Sequence, residues 1–384
     1  MNVRLEEELG GYMKAAEPGR RERAAAWSMA IGLQAVDGLE TSQFLFDTAK
    51  EHIEGRITQN QARRRIRDYY EAGKESCRTD PDKEEADKVA ERITAVLNDG
   101  GFAFTPEYYI SIHAKLFKDV LSAAGKIRTV NIRKHEWVLK DESVTYGDAA
   151  TLKQSLVRDF IDEREFDYGG RPPARIIPHF ARFIAQIWQL HPFMEGNTRT
   201  TAVFAVKYLD SLGYGVSNDA FRDNSRYFRN ALARANFADY ARGVKRDWSW
   251  LEAFFRNLLL GETNELKSRY MLVDLTEEDK REIRRLSGGT TGRFAQRLSE
   301  KHDIGLSEKS AQRLSEKAVR KSRGKSKAEL LLTLLGKEPG LTQAKMAKAL
   351  RISRQALQKH IANLKAAGRL RRVGPDKGGR WEVL

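Results

Sequence analysis

Apolar residues recur at helical spacing along most of the chain. The first 22 residues are polar and are broken by Gly10-Gly11 and Pro18-Gly19. Phe44, Leu45, Ala49 and Ile53 then mark one amphipathic face, and Ala62, Ile66, Tyr69 and Tyr70 a second. Gly38 and Gly55 stand where helices stop. Residues 75–83 read as a loop, after which the spacing returns through Ala90, Ile93, Val96 and Leu97. Thr105-Pro106-Glu107 has the residue types of a helix start: a Thr cap, a Pro in the first turn and an acid favoured by the dipole. The helix behind it carries Ile110, His113, Leu116, Phe117 and Val120.

The texture changes over residues 134–146, where two short β-prone runs flank Lys140-Asp141-Glu142, the pattern of a hairpin. Gly169-Gly170-Arg171-Pro172-Pro173 is a clear break. Beyond it Ile177, Phe180, Ile184, Ile187 and Trp188 form one helix face. Val203, Phe204, Val206 and Leu209 belong to a helix so apolar that it must be central. Two or three further helices fit residues 215–260. Residues 274–324 are highly charged and repeat Leu-Ser-Glu-Lys three times, too short and too few for a solenoid, so they read as a helical connector. Residues 326–384 read as three helices and a hairpin. Thr342 and Ser353 cap the second and third helices, and Leu370–Val373 and Trp381–Val383 alternate around a Gly-rich turn.

Composition narrows the possibilities. A chain of 384 residues with 41% hydrophobic residues can bury a core and divide into two or three domains. The single cysteine, Cys77, excludes a disulfide framework and a cysteine-built zinc site. No apolar run approaches the ~18 residues of a membrane span, and the start of the sequence has no secretory pattern; no membrane partner and a cytoplasmic setting are expected. The charge is unevenly placed. Residues 325–384 hold eight Lys, six Arg and four Asp+Glu, a net +10 of the total +15. Such asymmetry points to a nucleic-acid partner for that block, the alternative being a tail that aids solubility.

The candidate chemistry lies in His191-Pro192-Phe193-Met194-Glu195-Gly196-Asn197-Thr198-Arg199-Thr200, between two apolar helices. A helix N-terminus offers unpaired N–H groups and a positive dipole end to an anion. Gly196 lets backbone approach the anion, Asn197 can donate to it, and Arg199 can pair with it bidentately. Glu195 is suited to Mg²⁺, which takes one or two carboxylates together with phosphate oxygens. His191 is the side chain suited to general-base work near neutral pH.

This His-Pro-Phe-x-Glu-Gly-Asn-x-Arg stretch resembles the signature loop of Fic-domain proteins. Ala124–Arg128 followed by Glu136–Leu139 resembles the entry to that family's hairpin flap, and Tyr227–Asn236 its adenine-lining helix. The resemblance implies a mainly α fold: a Fic-type helical core at 105–260 with a small β-hairpin flap, an N-terminal segment at 1–104, a charged connector at 261–324 and a C-terminal domain at 325–384. It implies transfer of AMP from ATP to a Ser, Thr or Tyr hydroxyl of a protein target. By similarity His191 is the base and Glu195 positions Mg²⁺. Gly196, Asn197, Thr198 and Arg199 hold phosphates, Tyr227 and Asn236 line the nucleotide pocket, and Trp137, Val138 and Leu139 in the flap dock the target. Two positions depart from the family. Thr198 replaces a common Gly, and Ala202 stands where a second arginine often grips the terminal phosphate.

Leu33–Ser42 resembles the helix of a small antitoxin-like domain that restrains many Fic proteins, with Asp37 at the position of its inhibitory glutamate; Glu54-Gly55 is a competing match. Because the usual arginine partner is Ala202, the expectation is that Asp37 has lost its partner and that the brake is weakened. Residues 325–384 resemble a winged helix-turn-helix. In that geometry Ser353, Arg354, Gln355, Gln358 and Lys359 face DNA, and Lys377 and Arg380 in the wing touch phosphate. Two other functions stay open: a transcriptional regulator whose pocket only senses nucleotide, and a Doc-like kinase. The sequence leaves open which nucleotide is used, and whether the chain forms a homodimer.

Overall fold

Local signals set the helix boundaries. The helices are α1 (Pro18–Gly32), α2 (Gln43–Ile53), α3 (Gln59–Glu75), α4 (Pro81–Asn98), α5 (Pro106–Phe117), α6 (Leu152–Arg164), α7 (Pro173–Leu190), α8 (Asn197–Ser211), α9 (Asp219–Asn236) and α10 (Ser249–Leu260). Ser42 caps α2 by accepting from the Leu45 amide, and Thr105 caps α5 by accepting from Tyr108. Pro is at the first turn of α1, α4, α5 and α7, where its missing N–H costs nothing. A 3₁₀ turn, Leu33–Asp37, continues α1 and ends at Gly38 with φ 69°. The computed structural model describes residues 8–12, 17–75, 80–216, 219–273, 335, 361, 364, 370–373 and 380–383. The fold is mainly helical, and no helix among the described residues is long and apolar enough to cross a membrane.

The chain divides into two compact units, Met1–Ser307 and Glu308–Leu384. In the first, α1 packs on α4 and α9, α5 on α8, and α7 on α9 and α10. Helix α8 is buried on every side from Asn197 to Leu209, as its apolar run requires. Trp27, Phe180, Trp188, Phe193 and Phe204 fill the core around it. The N-terminal helices therefore share one continuous core with the helices that carry the loop.

In the second unit β1 (Leu370–Val373) pairs antiparallel with β2 (Arg380–Val383), Leu370 opposite Val383. This is the hairpin expected after the third C-terminal helix. Leu335, Ile361, Leu364 and Leu370 are buried. The charged Leu-Ser-Glu-Lys repeats lie outside the described residues.

Residues 134–147 correct the hairpin expectation. A single antiparallel bridge, Glu136 to Glu142, closes around a 3₁₀ turn at Trp137–Leu139. Lys140 and Asp141 adopt left-handed φ of 54° and 64°, which ends any strand. Val138 and Leu139 point into the core with no exposure, and the Val138 carbonyl accepts from the Val273 amide at 3.0 Å. Burial thus overrode the β-prone alternation. The first residues of the expected helical connector, 261–267, are not helical, and a 3₁₀ turn follows at Ser268–Met271.

Candidate active site

His191 ends α7 in the left-handed region, with φ 49° and ψ 57°. That turn swings the loop back so that Gly196, at φ 77°, can start α8. A Cβ at Gly196 would lie 2.4 Å from the Phe117 ring, so both conformation and close packing require glycine here. Three side chains brace the loop from within. Asn197 Oδ1 accepts from the Phe193 amide at 3.0 Å, and its Nδ2 donates to the Phe193 carbonyl at 2.7 Å. His113 takes the Gly125 amide on Nδ1, so Nε2 carries the proton and donates to the Glu195 carbonyl at 3.0 Å. Its ring stacks on Phe193 at 3.7 Å, and burial lowers its pKa to about 4, which keeps it neutral.

Arg128 braces the loop from outside. Buried at 4% exposure, it donates to the carbonyls of His191, Leu190, Val130 and Gly147. It thereby ties the loop to the segment leading into residues 134–147. Its own amide donates to the Pro192 carbonyl at 2.8 Å.

The His191 ring is 4% exposed and lies 4.2 Å from the Tyr146 ring and 5.2 Å from Trp188. Nδ1 is 3.3 Å from the Trp188 carbonyl. A carbonyl only accepts, so Nδ1 carries the proton and Nε2 holds the lone pair. Burial, then the charges of Lys134 and Arg229, push the imidazole well below its ordinary pKa. It is neutral at pH 7, the form a general base requires. Thr198 Oγ1 accepts from Trp188 Nε1 at 3.0 Å. The first intrahelical bond of α8 runs from the Thr200 amide to the Gly196 carbonyl. The amides of residues 197–199 precede it and form the positive end of the helix.

Two charged residues of the loop are engaged. Glu195 pairs with Lys134 Nζ at 2.9 Å. Arg199, 2% exposed, lies over the Phe117 ring at 4.7 Å and points toward the N-terminal helices. It donates to Gln34 Oε1 at 3.0 Å and pairs with Glu85 at 3.0 Å and Asp37 at 2.8 Å. Asp37 also meets Arg229 at 3.5 Å. The expectation that Asp37 lost its partner with Ala202 is therefore corrected. The 3₁₀ turn brings the acid to the first loop arginine and to an arginine of α9, while Ala202 is sealed in the core.

Tyr227 and Asn236 are committed elsewhere. The Tyr227 hydroxyl donates to the Trp250 carbonyl at 3.1 Å, and Asn236 donates to Ala185 and Leu232 carbonyls at 2.8 and 3.0 Å. Both are buried. On the same helix Arg229, absent from the expected site, is the residue that shares Asp37 with the loop's arginine. Of the flap residues, Val138 and Leu139 are core and Trp137 is half-buried. Ser353, Arg354, Gln355, Gln358, Lys359 and Lys377 lie outside the described residues; for Arg380 only its place in β2 is described.

Charge was the missed signal. Gln34 and Glu85 meet Arg199 across 165 and 114 positions, and Arg229 meets Asp37 across 192, so no local pattern joins them. Magnesium can be tested against the donors present. Among the described residues no three carboxylates or histidines converge. The lone Glu195 carboxylate, about one-third exposed, fits an ion that takes its other ligands from phosphate and water.

Comparison with known proteins agrees with this geometry. The Fic/DOC family model matches residues 103–209, and a MarR family model matches residues 330–380. A relative named probable protein adenylyltransferase y4lH, from Sinorhizobium fredii, is 28% identical over 167 residues, 42% of this chain and 82% of its own. The protein adenylyltransferase VbhT of Bartonella schoenbuchensis is 28% identical over 141 residues, 36% of this chain and 26% of its own. These matches support a nucleotidyltransferase. The chain carries a Fic/DOC-family domain at residues 103–209 and a MarR-family winged helix-turn-helix at residues 330–380.

Proposed function

We propose that this protein transfers AMP from ATP to a hydroxyl of a protein target. The observation that carries the reading is the braced loop between α7 and α8, which joins a neutral imidazole to the positive end of a buried helix. In the proposed reaction the acceptor oxygen attacks the α-phosphorus, its proton passes to His191 Nε2, and the bond to the β-phosphate breaks to release pyrophosphate. The amides of residues 197–199 and the Gly196 turn receive the phosphate oxygens. Glu195 would hold Mg²⁺, which neutralises phosphate charge when bound. Lys134 must then leave the carboxylate.

Asp37 supports a second part of this reading. It occupies Arg199, which the transfer needs for phosphate, so the N-terminal helices restrain the enzyme in the conformation described. A MarR-family match and a net +10 over residues 325–384 support DNA binding by the C-terminal unit.

The test is the mass added to a labelled protein after incubation with ATP, Mg²⁺ and lysate. An AMP adduct is expected, and His191→Ala should lower its formation by ~10²–10⁴. A phosphate adduct in its place would establish the kinase reading.

A further inference from the structure

The end of α6 carries a buried acid that the candidate active site does not use. Glu163 is 3% exposed. Its Oε1 accepts from the Tyr168 hydroxyl at 2.5 Å and the Tyr208 hydroxyl at 3.2 Å, and its Oε2 accepts from His179 Nε2 at 2.7 Å. Among the described residues no Lys or Arg pairs with it. The groups that face it are Tyr168 in the loop after α6, His179 on α7 and Tyr208 on α8, with Arg164 and Glu165 beside it on its own segment. Burial raises its pKa to about 7 and pushes both tyrosines up, so they stay neutral. Burial, then Arg182 and Arg171, lower His179, which is neutral at pH 7. Above that pH Glu163 is a buried anion with hydrogen bonds and no counter-charge, a costly state.

Glu163 lines a hollow of about 610 Å³ whose other walls are largely aromatic. Phe102 and Phe104 lie 5.9 and 4.5 Å from the Tyr208 ring, and Phe166 lies 4.8 Å from the Tyr168 ring. Ring faces attract cations, and two neighbouring arginines already lie over these rings. Arg164 is 5.9 Å from the Phe104 centroid and Arg171 is 5.0 Å from that of Phe166. The charged residues of the lining are Glu163, Glu165 and Asp167 against Arg164, a net charge of −2 (three acids, one base) in a chain of +15. Asp167 has Arg171 at 4.0 Å, whereas Glu165 has no ion pair among the described residues. The hollow reaches Ser211, the last residue of α8, while the catalytic loop meets the first, so about 20 Å of helix separate the two.

We propose that this hollow binds a small organic amine, with Glu163 as the counter-charge of its ammonium group and the aromatic rings covering the ammonium and its apolar body. A volume suited to a small molecule, one buried carboxylate and aromatic walls fit an alkylammonium and repel a phosphate. The inference goes beyond nucleotidyl transfer and does not depend on it.

Calorimetric titration of the full chain tests it, with butylamine and the neutral butan-1-ol of the same shape as probes. Butylamine stays charged from pH 6 to 8, as a lysine side chain does. At pH 8 it should bind at least about tenfold more tightly than butan-1-ol. Its own affinity should fall about tenfold from pH 8 to pH 6, because an acid titrating near pH 7 goes from roughly nine-tenths to one-tenth ionised. Glu163→Gln keeps the shape and an acceptor for the tyrosines; it should weaken butylamine about tenfold and leave butan-1-ol within about twofold. A thermal melt checks that the variant folds, and the pH series on the unmodified protein decides the matter if it does not. Equal binding of amine and alcohol, no binding of butylamine at pH 8, or an affinity indifferent both to pH and to Glu163→Gln overturns the inference.

Discussion

At the residue scale His191 combines two demands that oppose each other. Packing against Tyr146 and Trp188 orients the ring, and the same burial drives its pKa down. A base with a lowered pKa stays unprotonated as the pH falls. The acid limb of kcat/KM, which reports the free enzyme, is therefore expected below pH 6.5, with no rise in rate from this group between pH 6.5 and 8. A limb centred at or above 6.5 would show that the imidazole is solvated. Gly196 is the second residue on which the loop depends. Gly196→Ala places a Cβ in the left-handed region, a cost of about 1–2 kcal/mol, and drives it into the Phe117 ring. A lowered melting temperature together with loss of transfer is the expected result; an unchanged melt would contradict the geometry.

At the element scale the contact between α1 and α9 holds the arrangement around Asp37 together. Gly32 approaches the backbone of α9 so closely that an added Cβ would lie 2.4 Å from the Arg222 carbonyl oxygen. Ser225 Oγ donates to the Gly32 carbonyl at 2.8 Å in the same place. Gly32→Ala must push α1 and its 3₁₀ extension away from α9, and Asp37 moves with it. The expected outcome is a lower melting temperature with faster AMP transfer, measured on the same preparation. Lower stability without faster transfer would show that Asp37 does not restrain the enzyme. Much of this element layer was legible in the sequence. Thr105-Pro106 marks the start of α5, the apolar run 203–209 marks the central helix, and Leu370–Val373 marks the first strand of the wing. The hairpin at 134–147 was misread because Val138 and Leu139 satisfy core packing, and alternation cannot tell which neighbour will cover a strand-like run. The partners of Arg199 were illegible for a different reason: three acceptors, two from the 3₁₀ turn and one from α4, meet only after the chain has folded.

At the scale of the whole molecule, the N-terminal helices and the loop share one core, so withdrawing Asp37 is a rearrangement inside a unit rather than a separation of domains. Residues 325–384 carry two thirds of the excess charge, and their activity is expected to be separable. Duplex DNA should be retarded in a gel shift by the full chain, with affinity falling as salt rises by a log–log slope of about −0.9 for each phosphate neutralised. His191→Ala should leave that shift unchanged, and a salt-independent shift would contradict a phosphate-based interface. The central claim concerns the other unit. The unmodified protein, Asp37→Ala and His191→Ala, each incubated with lysate and Mg²⁺, can be compared for retention of label from ATP carrying it at the α- or at the γ-phosphate. The account predicts α-label on protein, more of it with Asp37→Ala and almost none with His191→Ala. Retention of γ-label, or α-label that survives loss of His191, would contradict it.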